Sequence, residues 1–393
     1  EAPSPPPAEA PAPAVPAPGD EALDVTDVAA RAEERIQELL QYVVASESSD
    51  LHLRVELPPT VRTHGELKPI PNQGPLARPD IEAMVLAIMP DRNKYEYLET
   101  NDTDFAYEIL DFSRFRVNAL RDRKGPAAVF RVIPNEILTA DQLGLSREVQ
   151  ALCYLTKGLV LVTGPTGSGK STTLAGMINL INTTRTDHVL TIEDPIEFVH
   201  KNKKCIVTQR QVGSHTQSFK RALRAALRED PDIVLIGEMR DLETMAIAIE
   251  TAETGHLVFG TLHTTTAVST VDRIIDQFPA DQQDQIRVML SESLRGVISQ
   301  VLLKRIGGGR VPAREILITN AAVSNLIREG KTYQLTSIIQ TNKKAGMITL
   351  NDSLCELLDK KLIEPEEAYM KSIDKASMET ALKHRGIALN FRQ

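Results

Sequence analysis

Residues 164–171 read Gly164-Pro165-Thr166-Gly167-Ser168-Gly169-Lys170-Ser171, followed by Thr172. This is a complete G-x-x-x-x-G-K-[ST] phosphate loop, and each part has a mechanical use. A glycine-rich turn lets successive backbone N–H groups face phosphate oxygens. Lys170 is long enough to reach β- and γ-phosphates, and the Ser171 hydroxyl suits Mg²⁺. A helix starting here adds its positive dipole end. The pattern points to binding of a nucleoside triphosphate, with ATP and Mg²⁺ as the expected ligands.

Three further polar clusters could complete hydrolytic chemistry. Thr191-Ile-Glu-Asp-Pro-Ile-Glu197 offers Glu193 and Asp194 to orient or deprotonate a water, or to help hold the metal. Ile236-Gly-Glu-Met-Arg-Asp241 stands where a metal-supporting acid is expected, with Gly237-Glu238 in place of the usual Asp-Glu pair. Glu253-Thr-Gly-His-Leu-Val-Phe-Gly-Thr-Leu-His-Thr264 places His256 and His263 at the two ends of one strand. Phosphoryl transfer needs a cradle, a metal, a water-positioning acid and a cation. The plainer alternatives are a helix cap or surface charge for each acid, and a satisfied core residue for each histidine.

Each cluster must be held by the elements around it. Apolar runs at Leu159–Thr163, His188–Ile192, Asp232–Ile236, Leu257–Leu262 and Glu315–Thr319 alternate with helical stretches. That alternation predicts an α/β fold, a parallel sheet with helices on both faces and ligands beyond the carboxyl ends of the strands. Before it, an amphipathic helix over Val28–Val44 precedes short alternating runs at 51–55, 60–63, 105–109, 115–118 and 128–133, with helices near 80–100. The expected organisation is a Pro/Ala-rich disordered tail (1–24), an N-terminal α+β domain (25–136), a linker (137–157), the nucleotide domain with C-terminal helices (158–365) and a C-terminal extension (366–393).

Composition narrows the function classes. The 393 residues are 42% hydrophobic and 25% charged, as in ordinary globular proteins. A net charge of −8 argues against a general nucleic-acid binder. Cys153, Cys205 and Cys355 form no C-x-x-C, so neither a zinc site nor a disulfide framework is signalled and a reducing cytosol fits. No run is apolar enough for a transmembrane helix.

Four blocks then stand in a familiar order: Gly164–Thr172; Thr191–His200; Arg228–Asp232 with Gly237–Thr244; and Ala252–His263. They resemble the Walker A, Asp box, Walker B and His box of the secretion-superfamily ATPases, and most of all the retraction motors of type IV pili (PilT type). Ala322-Val-Ser-Asn-Leu-Ile-Arg-Glu329 is similar to that family's C-terminal signature, differing at Val323 and Ser324. Ser49-Asp-Leu-His52 and Phe115-Arg-Val-Asn118 match its N-terminal domain. The four-cysteine insert usual in pilus-extension and type II secretion ATPases is missing. Those ATPases and the accessory retraction ATPases of PilU type remain the nearest alternatives; a small-molecule kinase and a non-catalytic nucleotide-binding scaffold are more distant ones.

The resemblance implies a RecA-like ATPase domain beside a smaller PAS-like N-terminal domain, assembled as a homohexamer. It implies cytoplasmic residence at the inner membrane, attached only through partners: a pilus platform protein and a paralogous retraction ATPase. It also implies that Arg116 and Arg131 reach the γ-phosphate, a task that suits a guanidinium fork; an ordinary solvated strand face is the other reading of both. With Glu193, Glu238 and His263 they make up the expected catalytic set, and Ser171 with Glu238 the expected metal set. Arg224, Arg228 and Arg240 are secondary phosphate or interface candidates.

Overall fold

In the computed structural model, residues 25–387 and Leu389 are described, except His64, Asp111, Pro134 and Asn135. The expected tail at 1–24 lies outside them. Contacts divide the chain into two units, meeting between Val132 and Ile133.

The first unit begins with α1 (Val25–Ala45), whose Ile36, Leu39, Leu40 and Val43 form a buried stripe at helical spacing. Then come β1 (Asp50–Leu53), β2 (Thr60–Thr63), β3 (Glu66–Pro69), α2 (Arg78–Ile88), α3 (Asp91–Thr100), β4 (Asp102–Ile109), β5 (Ser113–Asp122) and β6 (Gly125–Ile133). The six strands form one sheet in the order β3-β2-β1-β6-β5-β4. Alternate residues, among them Leu51, Leu53, Phe115, Val117 and Phe130, share one core with α1 and α2. The intervening residues face away from that core, because side chains alternate along a strand.

The second unit contains α4 (Arg147–Ala151), β7 (Gly158–Thr163), α5 (Lys170–Thr184), β8 (His188–Glu193), β9 (Ile206–Gln211), α6 (Phe219–Ala226), β10 (Ile233–Ile236), α7 (Leu242–Glu253), β11 (Leu257–Leu262), α8 (Ala267–Asp276) and α9 (Gln283–Ser293). These are followed by β12 (Leu294–Lys304), β13 (Arg310–Ile318), α10 (Ala321–Arg328), α11 (Leu335–Thr341), α12 (Leu350–Asp359), α13 (Pro365–Lys371) and α14 (Lys375–His384). Its seven-stranded sheet runs β13-β12-β7-β11-β10-β8-β9. Every residue of β7 and β11 is buried, as expected of parallel strands covered on both faces. Leu159 and Leu161 point into one core with α7–α10, while Val160 and Val162 point into the other with α4 and α5.

Three differences from the sequence reading have physical causes. The sheet is parallel except at its edge, where β12 and β13 pair antiparallel. The turn Gly307-Gly308-Gly309, all at positive φ, is too short for the crossover a parallel partner needs. Residues 137–157 are not a free linker: Ala140, Leu145, Val149, Leu152 and Cys153 are buried in the second core. The described part of the expected C-terminal extension is packed as well, since Ala368, Met378 and Leu382 share a core with Leu303 and Ala313 of the hairpin.

Candidate active site

Parallel pairing brings the chemical residues to one edge. Thr163 stands beside Leu262, Ile236 beside Gly260, and Ile192 beside Ile236. The phosphate loop, Glu193, Gly237-Glu238 and His263 therefore all stand at or just past strand ends at the same carboxyl edge of the sheet. His256 precedes β11 and lies at the opposite edge, where its carbonyl accepts from the Gly158 N–H at 3.0 Å.

The phosphate loop joins β7 to α5. Gly164, Gly167 and Gly169 adopt φ of 142°, 76° and 85°, conformations that only glycine takes without strain. Pro165, Thr166 and Gly167 are exposed at the tip, Ser168 is buried, and Ser171 and Thr172 are half-buried on the first turn of α5. Lys170 donates to the carbonyls of Gly164 at 2.9 Å and Pro165 at 3.3 Å. Burial holds its ammonium below the usual lysine range, against the pull of the Glu238 and Glu197 carboxylates.

The two acids have opposite environments. Burial pushes the Glu193 carboxyl up, although Thr191 Oγ1 at 2.6 Å and Gln209 Nε2 at 3.2 Å both donate to it. Glu238 also feels burial, but Arg240 and His263 outweigh it and hold its carboxyl below the ordinary glutamate range. Arg240 Nη2 donates to Oε2 at 2.7 Å, and Nε lies 2.6 Å from Oε1; His263 Nε2 lies 3.0 Å from that same Oε1. Acids whose environments push them apart can divide their labour: one accepts a proton, the other stays ionised. The peptide between Asp194 and Pro195 is cis.

Arg116 and Arg131 belong to the first unit, on the sheet face away from its core. Arg116 lies 4.0 Å from Asp104. Arg131 Nε donates to Asp50 Oδ1 at 2.8 Å. Asp50 is the register partner of both Arg62 and Arg131, so an Arg–Asp–Arg row crosses β2, β1 and β6. Of the secondary arginines, Arg240 serves Glu238, while Arg224 pairs with Glu243 at 3.0 Å.

Sequence reasoning missed Asp50 and Gln300 as working groups. Gln300, buried on β12, donates Nε2 to the Ser168 carbonyl at 2.7 Å. A signal existed: Ser299-Gln300 interrupts an otherwise apolar strand, and a buried amide must have partners. The C-terminal signature forms α10, with Val323 and Ile327 fully buried and Asn325 and Arg328 exposed.

Comparison with known proteins gives a consistent result. Residues 26–309 match the family model described as Type II/IV secretion system protein. The chain is 52% identical over 337 residues to the type IV pilus retraction ATPase PilT of Pseudomonas aeruginosa, covering 86% of this chain and 98% of that protein. Identity to the type IV pilus ATPase PilU of the same organism is lower, 37% over 84% of this chain and 87% of that protein. Among solved structures, the crystal structure of the pilus retraction motor PilT with bound ADP superposes with a TM-score of 0.82 at 46% identity, covering 87% of this chain and 98% of that one.

Proposed function

Because this chain belongs to the type II/IV secretion system proteins, and within them to the PilT-type pilus retraction ATPases, we propose that it hydrolyses ATP as a homohexameric motor powering type IV pilus retraction and twitching motility. The observation carrying this reading is the convergence of the phosphate loop, Glu193, Glu238 and His263 at one sheet edge.

Each residue takes a role that its environment supports. The amides of Gly164–Thr172 and the Lys170 ammonium hold the phosphates. Glu193, with its raised proton affinity, orients the attacking water and takes up its proton. Glu238 stays ionised. His263, bonded to Glu238, responds to changes at that carboxylate. Arg116 and Arg131 would supply cationic charge to the γ-phosphate when first and second units of the ring close on nucleotide.

The donor set also fits Mg²⁺. An ionised Glu238 and the half-buried Ser171 hydroxyl are hard oxygen donors, and among the described residues no cluster of three or more His, Cys, Asp or Glu builds a competing metal cage. Mg²⁺ usually relies on few protein ligands plus phosphate and water. Ser171 and Glu238 would hold it, and it would neutralise charge developing on the phosphate oxygens.

The motor would work at the cytoplasmic face of the inner membrane, gripping a pilus platform protein and, in part, a paralogous retraction ATPase. Among the described residues no helix is long and apolar enough to cross a membrane. The higher identity to PilT than to PilU favours the principal retraction motor over the accessory one. The deciding experiment is Lys170→Ala in the full chain. Loss of phosphate release together with loss of twitching in a complemented cell is expected; substantial turnover in that variant would remove the phosphate loop as the working site.

A further inference from the structure

A phosphate loop is useful only while its carbonyls point out and its amides point in, so something must grip it from behind. Besides Lys170, which bonds the Gly164 and Pro165 carbonyls, a side chain on the neighbouring strand β12 does this. Gln300 Nε2 donates to the Ser168 carbonyl at 2.7 Å, and Gln300 Oε1 accepts from Thr173 Oγ1 at 2.9 Å. One amide thus pins both the loop and the first turn of α5. The fit is close: a Cβ on Gly169 would stand 3.3 Å from Nε2, and one on Gly164 would collide with the backbone carbonyl of Gln300.

An amide can flip, and flipping would set Oε1 against the Ser168 carbonyl. Arg314 opposes this. It is the register partner of Gln300 across β12 and β13 and points Nε at Oε1 from 3.4 Å, a place only an acceptor tolerates. The other end of the guanidinium donates to the Leu143 carbonyl at 2.9 Å and the Gly144 carbonyl at 3.2 Å. Leu143 in turn lies on α5, where a Cβ on Gly176 would meet its Cδ1 at 2.4 Å. Residues 138–145 follow closely on β6, the last strand of the first unit. Arg314 is buried, 8% exposed, and burial alone brings its guanidinium down to about 10, so it remains a cation at neutral pH.

We propose that Gln300 and Arg314 are positioning residues forming a relay, in which Gln300 sets the phosphate loop and Arg314 ties that setting to the segment 138–145 leading out of the first unit. The inference rests on the phosphate loop being the nucleotide site. Nucleotide that stiffens the loop stiffens Gln300, then Arg314, then the carbonyls at 143–144. The first segment of the second unit thereby senses whether the loop is filled.

The test uses the full chain, ADP as the probe, and hydrogen exchange resolved to peptides. In the wild type, ADP should slow exchange of amides both at 164–173 and at 138–146. Gln300→Leu should weaken ADP binding by about tenfold and remove the slowing at both. Arg314→Leu should cost about threefold in affinity and leave loop protection in place while abolishing that of 138–146; Arg314→Lys, with one donor arm, should restore part of it. If Gln300→Leu does not fold, Thr173→Val, which removes one limb with little change of shape, should reproduce a smaller loss of affinity. Wild-type affinity and wild-type protection in the folded variants would overturn the relay. Lys170→Ala separates the two ideas: if it still binds and hydrolyses nucleotide, the phosphate-loop reading fails, whereas an inactive Lys170→Ala beside unaffected relay variants sinks the relay alone.

Discussion

Gly237 lies directly against Glu193: a Cβ built on Gly237 would stand 3.2 Å from the Glu193 Cα and 3.2 Å from the Ile192 carbonyl. A side chain at this position would crowd the end of β8, which would have to give by a few tenths of an ångström. Gly237 thus leaves the acid on the neighbouring strand undisturbed. Gly237→Asp, although it adds a carboxylate, should lower kcat by about tenfold or more and cost about 1–3 kcal/mol of stability through overpacking. Steady-state phosphate release and denaturant melts check both; an unimpaired rate would mean that Glu193 tolerates displacement.

Glu193 is held in a conflict that its removal should relieve. Burial raises its carboxyl above the ordinary value of 4.5. The folded state therefore binds this proton more tightly than the unfolded one. Its contribution is fully present below the unfolded value and is lost as pH rises through the folded one. Glu193→Gln should abolish hydrolysis yet raise stability at neutral pH by roughly 0.5–2 kcal/mol. Melting temperature against pH reads this out. The variant's advantage should grow as pH rises above the ordinary carboxyl range; a constant offset would contradict the assignment.

Glu238 should show the opposite sign. Against the cost of burial, Arg240 and His263 lower its carboxyl below 4.5, so its stabilising contribution exists above that value and disappears as pH falls through the lowered one. Glu238→Gln should keep nucleotide bound and cut kcat by about 10²-fold or more. It should also destabilise the fold, because Arg240 and His263 lose an ionised partner. ADP titration beside single-turnover hydrolysis separates binding from chemistry.

Asp50 sits between two arginines and is itself 3% exposed. Although burial opposes it, the bonds from Ser49 and Arg131 bring its carboxyl below 3.8. Asp50→Ala would leave Arg62 and Arg131 without the carboxylate that stands between them. Because Arg131 is 70% exposed, water can take over much of its solvation, so a loss of about 1–2 kcal/mol is expected, with a fall in kcat larger than any change in KM if Arg131 acts late in the reaction. Equal effects of Asp50→Ala and Asp50→Asn on stability, with no effect on turnover, would confine Asp50 to a structural role.

The C-terminal signature has one buried and one exposed side: Ile327 is fully buried in the core with α8 and α9, while Asn325 and Arg328 are exposed. Ile327→Ala should cost about 2–5 kcal/mol by leaving a cavity. Asn325→Ala with Arg328→Ala should leave melting and ATPase activity near wild type while stopping twitching, which a motility assay on complemented cells reads directly.

The sequence alone marked the phosphate loop and the strands around it, because that loop and the buried strands β7, β8, β10 and β11 are local patterns. Each has its own period and turn residues. It also marked Glu193, Glu238 and His263, since each follows a strand end. What it left out is long-range. β9 and β12 were missed; β9 is partly exposed, and β12 is interrupted by Ser299-Gln300. The segment 137–157 reads as a linker and residues 366–393 as an extension because their apolar residues are too few to show a period, yet Ala140, Leu145, Val149, Ala368, Met378 and Leu382 are buried in cores that include distant strands. Gln300 lies 132 residues from Ser168, and Asp50 81 residues from Arg131. No spacing rule reaches that far. Only the assembled sheets bring these groups within hydrogen-bonding range, and burial then makes each unsatisfied partner costly enough to fix the arrangement.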